Sequence, residues 1–177
     1  SVPGVLALYG RLSGQANRIK AGEYVFNTGL TTHGLLAELV AGRVRLHSFT
    51  LVEGWTVAET VAALHKSAVI GKTLATADAT ALATQLGLGV PSAEGQFLPE
   101  TYRFPRGTTD AELLHMAHAA LQKELMTAWE GRDADLPLRS SYELLILASI
   151  IERETALAAE RPQIAGVFMR RLKKEML

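Results

Sequence analysis

Two glutamates stand at the end of an apolar run in LASIIERET, residues 147–155. Residues 144–151 contain one polar residue, Ser149, so the pattern predicts a helix that is buried on all sides. Glu152 lies one helical turn beyond Ala148 and Ser149, whose small side chains leave space beside it. An unpaired carboxyl group next to apolar side chains favours its protonated form, which is the form that a general acid needs.

The simplest alternative is that Glu152 and Glu154 only mark the point where a helix reaches solvent, as most glutamates do. Against it, neither residue has a Lys or Arg three or four positions away, where helical ion pairs form. Residues two apart on a helix point roughly 200° apart, so only one of the two can enter a cleft. This geometry argues against the paired carboxylates of glycosidases. Acid chemistry here needs one carboxylate from this helix, or one from another segment.

The segment EGQFLPETYRFPRGTT, residues 94–109, supplies two further acids, Glu94 and Glu100. Pro99 restricts the backbone around it, which suits a rigid loop. The segment also contains three aromatic residues, which are Phe97, Tyr102 and Phe104. Aromatic rings stack on sugar faces, but small aromatic clusters more often belong to a core, and both interpretations stay open.

The composition excludes several classes of function. Eighteen basic residues balance eighteen acidic ones, so the chain lacks the positive charge typical of nucleic-acid binding proteins. The absence of cysteine rules out disulfides, cysteine zinc sites and thiol nucleophiles. His115 and His118 have helical spacing but no third ligand at a recognisable distance, so we predict no metal site and no cofactor. No apolar stretch approaches the ~20 residues that a membrane-spanning helix needs.

The elements that position these residues predict an α+β fold. Strands are predicted at 22–27 and 45–54, and helices at 31–42, 56–66, 76–86, 111–131 and 142–157, with a last helix that begins near Pro162. Capping boxes are predicted for the pairs Thr56 and Glu59, Thr109 and Glu112, and Ser140 and Glu143. We place a domain boundary between residues 68 and 69, which gives a β-α-β-α module (1–68) and a mainly helical domain (69–177).

Five segments, in this order, resemble the YceG-like proteins, the MltG-type endolytic murein transglycosylases: IKAGEYVF, LAELVAGRV, LVEGWTVAETVAAL, EGQFLPETYRFPRGTT and LASIIERETALAAERPQIAGVFMRRL. The resemblance runs from Ile19 onward and is most specific in the last segment. It implies that residues 19–66 form a LysM-like module and that 69–177 are the first part of a catalytic domain that continues past Leu177. It also implies a bacterial inner-membrane protein, with one anchoring helix before this chain and its body facing the periplasm or cell wall.

The same resemblance implies that Glu152 is the catalytic acid of a lytic transglycosylase. The implied reaction cleaves the β-1,4 bond from N-acetylmuramic acid to N-acetylglucosamine in nascent glycan strands, leaves 1,6-anhydro ends and terminates strand elongation. We predict substrate contacts at Glu94, Glu100, Tyr102, Ser149 and Glu154. Peptidoglycan strands are the expected partner, with peptidoglycan synthases as candidate protein partners. The alternative is a non-catalytic glycan-binding scaffold that recruits these synthases.

Overall fold

The structure, a computed structural model, describes residues 12, 14, 17, 19, 22–26, 29–155, 157–174 and 176. Within them the elements are, in order, α1 (Thr32–Ala41), β1 (Leu46–Thr50), α2 (Val57–Lys66), α3 (Ala79–Gln85), β2 (Thr101–Pro105), α4 (Asp110–Glu130), α5 (Ser141–Glu154) and α6 (Arg161–Lys173). This mixture of helices and strands confirms the α+β class. Contacts within the chain divide it into two units, residues 1–117 and 118–177.

The sheet of the first unit consists of two antiparallel strands that are distant in sequence. Its register pairs Leu46 with Pro105 and Thr50 with Thr101, whose hydroxyl oxygens lie 2.8 Å apart. Side chains alternate along β2, so Tyr102 turns into the core while its neighbours face outward. The pairing joins residues on both sides of the expected domain boundary at 68/69. That boundary, and the LysM-like character of residues 1–68, therefore stay predictions.

Helix α2 supplies one wall of the core in the first unit. Val57, Val61 and Leu64 recur every three or four residues and are at most 3% exposed, as an amphipathic helix requires. The other buried apolar side chains of this core include Leu36, Leu51, Leu74, Leu82, Phe104, Leu113 and Leu114. Each fully buried side chain of this kind stabilises the fold by about 1.5–3 kcal/mol.

Hydrogen bonds from side chains begin the helices where the sequence predicts. Thr56 and Glu59 form the predicted capping box, and the bonds donated by Thr56 lower the pKa of Glu59. Thr109 and Glu112 make the same reciprocal bonds before α4, which lowers the pKa of Glu112. Gly42 ends α1 in the left-handed conformation with φ 68°, which glycine adopts without steric cost.

Asp110 lies at the start of α4 and is fully buried. Its carboxylate accepts hydrogen bonds from Thr73 N (2.8 Å), Thr73 Oγ1 (2.6 Å), Leu74 N (3.2 Å) and Ala111 N (2.9 Å). His65 Nε2 lies 3.1 Å away on α2. Burial acts to raise the pKa of Asp110, but the bonds from Thr73, Leu74 and Ala111 outweigh it and lower that pKa. The carboxylate thus links the loop at 73–74 to α4 and α2.

The prediction of a strand at 22–27 is wrong for residues 22–26, which form no strand. Residue 27 lies outside the described part of the chain. This segment forms no strand ladder, and the side chains of its residues make the contacts that connect it to the rest of the first unit. The rings of Tyr24 and Phe26 stack with centroids 5.7 Å apart, and the Tyr24 hydroxyl donates to Leu39 O at 3.2 Å. Glu23 Oε2 lies 2.9 Å from His47 Nε2 and 3.3 Å from Arg106 Nε, and these bonds lower the pKa of Glu23.

Helix α5 belongs to the second unit and is not buried on all sides, contrary to the prediction from its sequence. Leu147 is its buried residue, whereas Tyr142, Ile146 and Ile150 are exposed by 46%, 43% and 38%. The reason is that α5 and α6 do not close completely on each other, so the side chains of Ile146 and Ile150 stay open to solvent. Between the two helices lies a groove of about 280 Å³, lined by Leu138, Glu143, Ile146, Leu147, Ile150, Phe168 and Leu172.

The start and end of α5 also differ from the predicted pattern. Ser140 accepts a hydrogen bond from Glu143 N, as a cap should, but the Glu143 carboxylate accepts from Arg139 N instead of completing a box. The helix ends at Glu154 because Thr155 is extended, with φ −148° and ψ 136°. Among the described residues, no helix has the length and apolar character to span a membrane.

Candidate active site

Glu152 lies in the last turn of α5, and its side chain is 63% exposed. Arg161 Nη2 donates to Glu152 Oε1 at 2.9 Å and lies 2.8 Å from Oε2, so the two side chains form an ion pair. The sequence-based expectation of a shielded, unpaired carboxyl group is therefore wrong on both points. Its basic partner is nine residues away on the next helix, where the rule for helical neighbours does not reach.

The turn between α5 and α6 is organised by Thr155, which is 8% exposed. Its backbone N–H donates to Ile151 O at 3.3 Å and ends α5. Its hydroxyl donates to Glu160 Oε2 at 2.7 Å and accepts from Leu157 N at 3.0 Å. A buried side chain with two hydrogen bonds fixes the path of the turn. The first residue of α6, Arg161, is thereby placed opposite Glu152.

Arg161 begins α6, and Pro162 behind it suits the first turn of a helix. Within the part of the chain that the structure describes, its Nε–H is enclosed and has no acceptor. An exposed ion pair contributes only about 0.2–1 kcal/mol, whereas an enclosed donor without an acceptor costs about 1–3 kcal/mol. The pair with Glu152 therefore adds little to the stability of the fold.

Two more of the predicted contact residues lie beside Glu152 on α5. Ser149 is exposed, and its hydroxyl donates to Ile146 O of its own helix at 2.7 Å. Glu154 is exposed and comes two residues after Glu152. The helix thus presents a hydroxyl group and two carboxylates near its last turn. A role for Ser149 and Glu154 in binding stays a prediction.

The other three predicted contact residues lie in the first unit, and two of them are used by the fold. Glu94 accepts from Val57 N with both oxygens at 3.1 Å, which caps α2. Tyr102 is 9% exposed, and its hydroxyl donates to Leu98 O at 2.7 Å. Burial raises the pKa of Tyr102, with a smaller effect from the negative charge of Glu100. Tyr102 therefore belongs to the core of the first unit, and its contact with substrate stays a prediction.

Glu100 is exposed and lines an open cleft of about 520 Å³ in the first unit. The cleft is formed by the residues at the end of β1 and before β2, which are Thr50, Leu51, Val52, Glu53, Pro99, Glu100 and Thr101. Leu51 N donates to Glu100 O at 3.0 Å and joins its two sides. Carboxylates, hydroxyl groups and short apolar surfaces together can bind hydroxylated ligands.

Sequence reasoning missed Thr155, Glu160 and Arg161. The polar residues between two helical patterns gave a signal, because Pro162 marks a helix start and places Arg161 in its first turn. No rule of sequence spacing, however, shows which charges face each other across a turn. No group of three His, Asp or Glu in the described residues could hold a metal ion.

The sequence model of the YceG-like family matches residues 2–177. The chain is 29% identical over 187 residues to an endolytic murein transglycosylase of Streptococcus pneumoniae serotype 2 (strain D39 / NCTC 7466), covering 89% of this chain and 33% of that relative. It is 26% identical over 178 residues to an endolytic murein transglycosylase of Bacillus subtilis (strain 168), covering 91% of this chain and 49% of that relative. The chain thus spans between a third and a half of the curated relatives it matches. Because the family match covers nearly every residue, this chain belongs to the YceG-like family.

Proposed function

We propose that the protein containing this chain is an endolytic lytic transglycosylase that cleaves peptidoglycan glycan strands, with Glu152 as its acid and base. The observation that carries the proposal is the carboxylate of Glu152, which is accessible at the end of α5 and held by Arg161. The curated relatives, which are named endolytic murein transglycosylases, support the same class of reaction. Exposure of the carboxylate suits a group that must touch a polymer as large as a glycan strand.

The proposed reaction uses one carboxyl group twice. Protonated Glu152 gives its proton to the glycosidic oxygen between N-acetylmuramic acid and N-acetylglucosamine, and the bond from that oxygen to C1 breaks. The resulting carboxylate takes the proton from the muramyl 6-hydroxyl while the 6-oxygen bonds to C1. The products are a 1,6-anhydro end and a free 4-hydroxyl, and no water is consumed. Since Glu152 regains its proton, a second carboxylate is not required.

A comparison of purified full-length proteins tests this proposal. Wild type, Glu152→Gln and the exposed control Glu124→Gln are incubated with glycan strands, and anhydro-muramyl ends are counted by mass spectrometry. We expect Glu152→Gln to lower the rate by a factor of about 10²–10⁴, and Glu124→Gln to match the wild type. Absence of anhydro ends in the wild-type digest, or equal yields from wild type and Glu152→Gln, would refute the enzymatic proposal.

The open cleft beside Glu53 and Glu100 supports a second candidate, a glycan-binding scaffold without catalysis. It predicts that full-length protein binds insoluble murein, that binding persists in Glu152→Gln, and that Glu53→Gln combined with Glu100→Gln weakens it. A scaffold alone would produce no anhydro ends. Release of anhydro ends by the wild type therefore separates the two candidates.

For the whole protein we propose a single-pass anchor in the bacterial inner membrane, with this region on the periplasmic or cell-wall side. We also propose peptidoglycan synthases as its protein partners and strand termination as its role. The family membership of the chain supports a location where peptidoglycan is made. Protease accessibility in spheroplasts tests the location, since a cytoplasmic region would stay protected. Cross-linking followed by mass spectrometry tests the partners.

A further inference from the structure

We propose that Arg161 is a positioning residue for Glu152, and that Thr155 and Glu160 hold it in place. This inference rests on the proposed function, because it concerns how the acid of that reaction is controlled. It adds three residues to a site that otherwise consists of one carboxylate. Each of its steps follows from contacts in the second unit.

Hydrogen bonds support the turn that precedes Arg161. Thr155 is buried, and its hydroxyl joins the two ends of the turn by donating to Glu160 Oε2 at 2.7 Å. The same hydroxyl accepts from Leu157 N, and Glu160 N donates to Leu157 O at 3.0 Å. Three hydrogen bonds therefore connect the described residues Thr155, Leu157 and Glu160 to one another. Arg161 follows directly after Glu160, so these bonds support its position.

The guanidinium group of Arg161 contacts the carboxylate of Glu152. Nη2 donates to Oε1 of Glu152 and lies 2.8 Å from Oε2, while Nε is enclosed by protein. A guanidinium ion keeps its charge throughout the working pH range, so the contact is a permanent positive charge beside the carboxylate. It also restricts the side-chain rotation of Glu152, which would otherwise be free at 63% exposure.

The contact between Arg161 and Glu152 should affect the proposed reaction. Glu152 becomes a carboxylate at the moment when it has given up its proton and has not yet taken the next one. The contact with Arg161 keeps the carboxylate oriented for the second proton transfer. Loss of the guanidinium group should therefore slow the chemical step and leave glycan binding intact.

The test uses full-length protein and measures kcat and KM for anhydro-end formation together with the thermal melting temperature. We expect Arg161→Gln to lower kcat by a factor of about 10–100, as misplacement of a catalytic group does, with KM changed less than about twofold. Arg161→Lys keeps a positive charge and should recover part of the loss. Arg171→Gln, on the exposed side of the same helix, is the matched control and should behave like wild type.

Variants of Thr155 provide an independent test, which can be carried out even if Arg161→Gln does not fold. Thr155→Val removes the bond to Glu160 and should lower kcat without raising KM, whereas Thr155→Ser keeps the hydroxyl and should restore kcat. The inference is overturned if Arg161→Gln retains kcat within about twofold, or if Arg161→Lys is no better than Arg161→Gln. It is also overturned if Thr155→Ser is as impaired as Thr155→Val. Full activity of Glu152→Gln would instead overturn the proposed function itself, so the two failures are distinguishable.

Discussion

The carboxylate of Glu94 caps α2 by accepting from the backbone N–H of Val57, which lies 3.1 Å from each of its oxygens. The two residues are 37 positions apart, so a loop late in the first unit satisfies the start of an earlier helix. Thr56 already bonds the N–H of Glu59 at this end, and Glu94 adds a negative charge near the same N-terminus. Both effects stabilise a helix start.

We therefore predict that Glu94 acts on stability. Glu94→Ala should lower the free energy of unfolding by about 1 kcal/mol, the usual effect of losing a helix cap. Glu94→Gln should lower it less, because an amide oxygen still accepts. Urea unfolding followed by circular dichroism measures both, with the exposed Glu100→Ala as the control. Equal stabilities of Glu94→Ala and Glu100→Ala would contradict this assignment.

A larger loss of stability is expected for Asp110→Asn. The amide keeps one acceptor oxygen but turns an N–H₂ group toward donors such as Thr73 N, in a site without access to water. Removing one partner from a buried charged network costs about 3–5 kcal/mol. Urea unfolding at neutral pH measures the change, and Asp135→Asn at an exposed position is the matched control. A loss no greater than that of the control would show that the network contributes nothing.

The pH dependence of the free energy of unfolding should also reveal the contribution of the Asp110 carboxylate. Its pKa is lowered in the folded chain from an ordinary value of 3.8. The folded state therefore binds fewer protons than the unfolded state, and stability falls as the pH drops below 3.8 toward the folded pKa. Above 3.8 this contribution is complete and does not change with pH. Urea unfolding at a series of acidic pH values should show that the free energy of unfolding declines less steeply for Asp110→Asn than for wild type. Equal declines in the two proteins would contradict this prediction.

Leu147 and Ile146 both line the groove between α5 and α6, but truncation of the two side chains should have different effects on stability. Leu147 is 6% exposed, so Leu147→Ala should cost about 2–4 kcal/mol through lost burial and the space that it leaves. Ile146 is 43% exposed, so Ile146→Ala should cost less than about 1 kcal/mol. Differential scanning calorimetry of both variants measures the contrast. Equal losses would mean that Ile146 is covered in the folded protein.

The sequence was sufficient to predict those structural features that depend on residues close together in the chain. The capping boxes at Thr56 and Thr109 follow from residues three positions apart, and Gly42 marks the end of α1 by its own backbone freedom. Local preferences of this kind can be recognised in a single sequence. They located each of the helices α1 to α6 to within a few residues.

Contacts between distant residues could not be predicted in the same way. The apolar run of α5 indicated burial, but burial depends on how closely a helix packs against its neighbours, and here an open groove separates parts of α5 and α6. The ion pair of Glu152 with Arg161 depends on the path of a turn that Thr155 sets. The role of Asp110 depends on a loop 36 or 37 residues earlier. The catalytic assignment to Glu152 came from the family resemblance as much as from its surroundings.

The pairing of β1 with β2 has a consequence for synthesis of the protein on the ribosome. Thr50 meets Thr101, which is 51 residues later, so β1 leaves the ribosome well before its partner exists. Until then its backbone N–H and C=O groups are an open edge that other chains could pair with. A fragment that ends near residue 68 should therefore be protease-sensitive, and a fragment that extends past residue 105 should be more resistant.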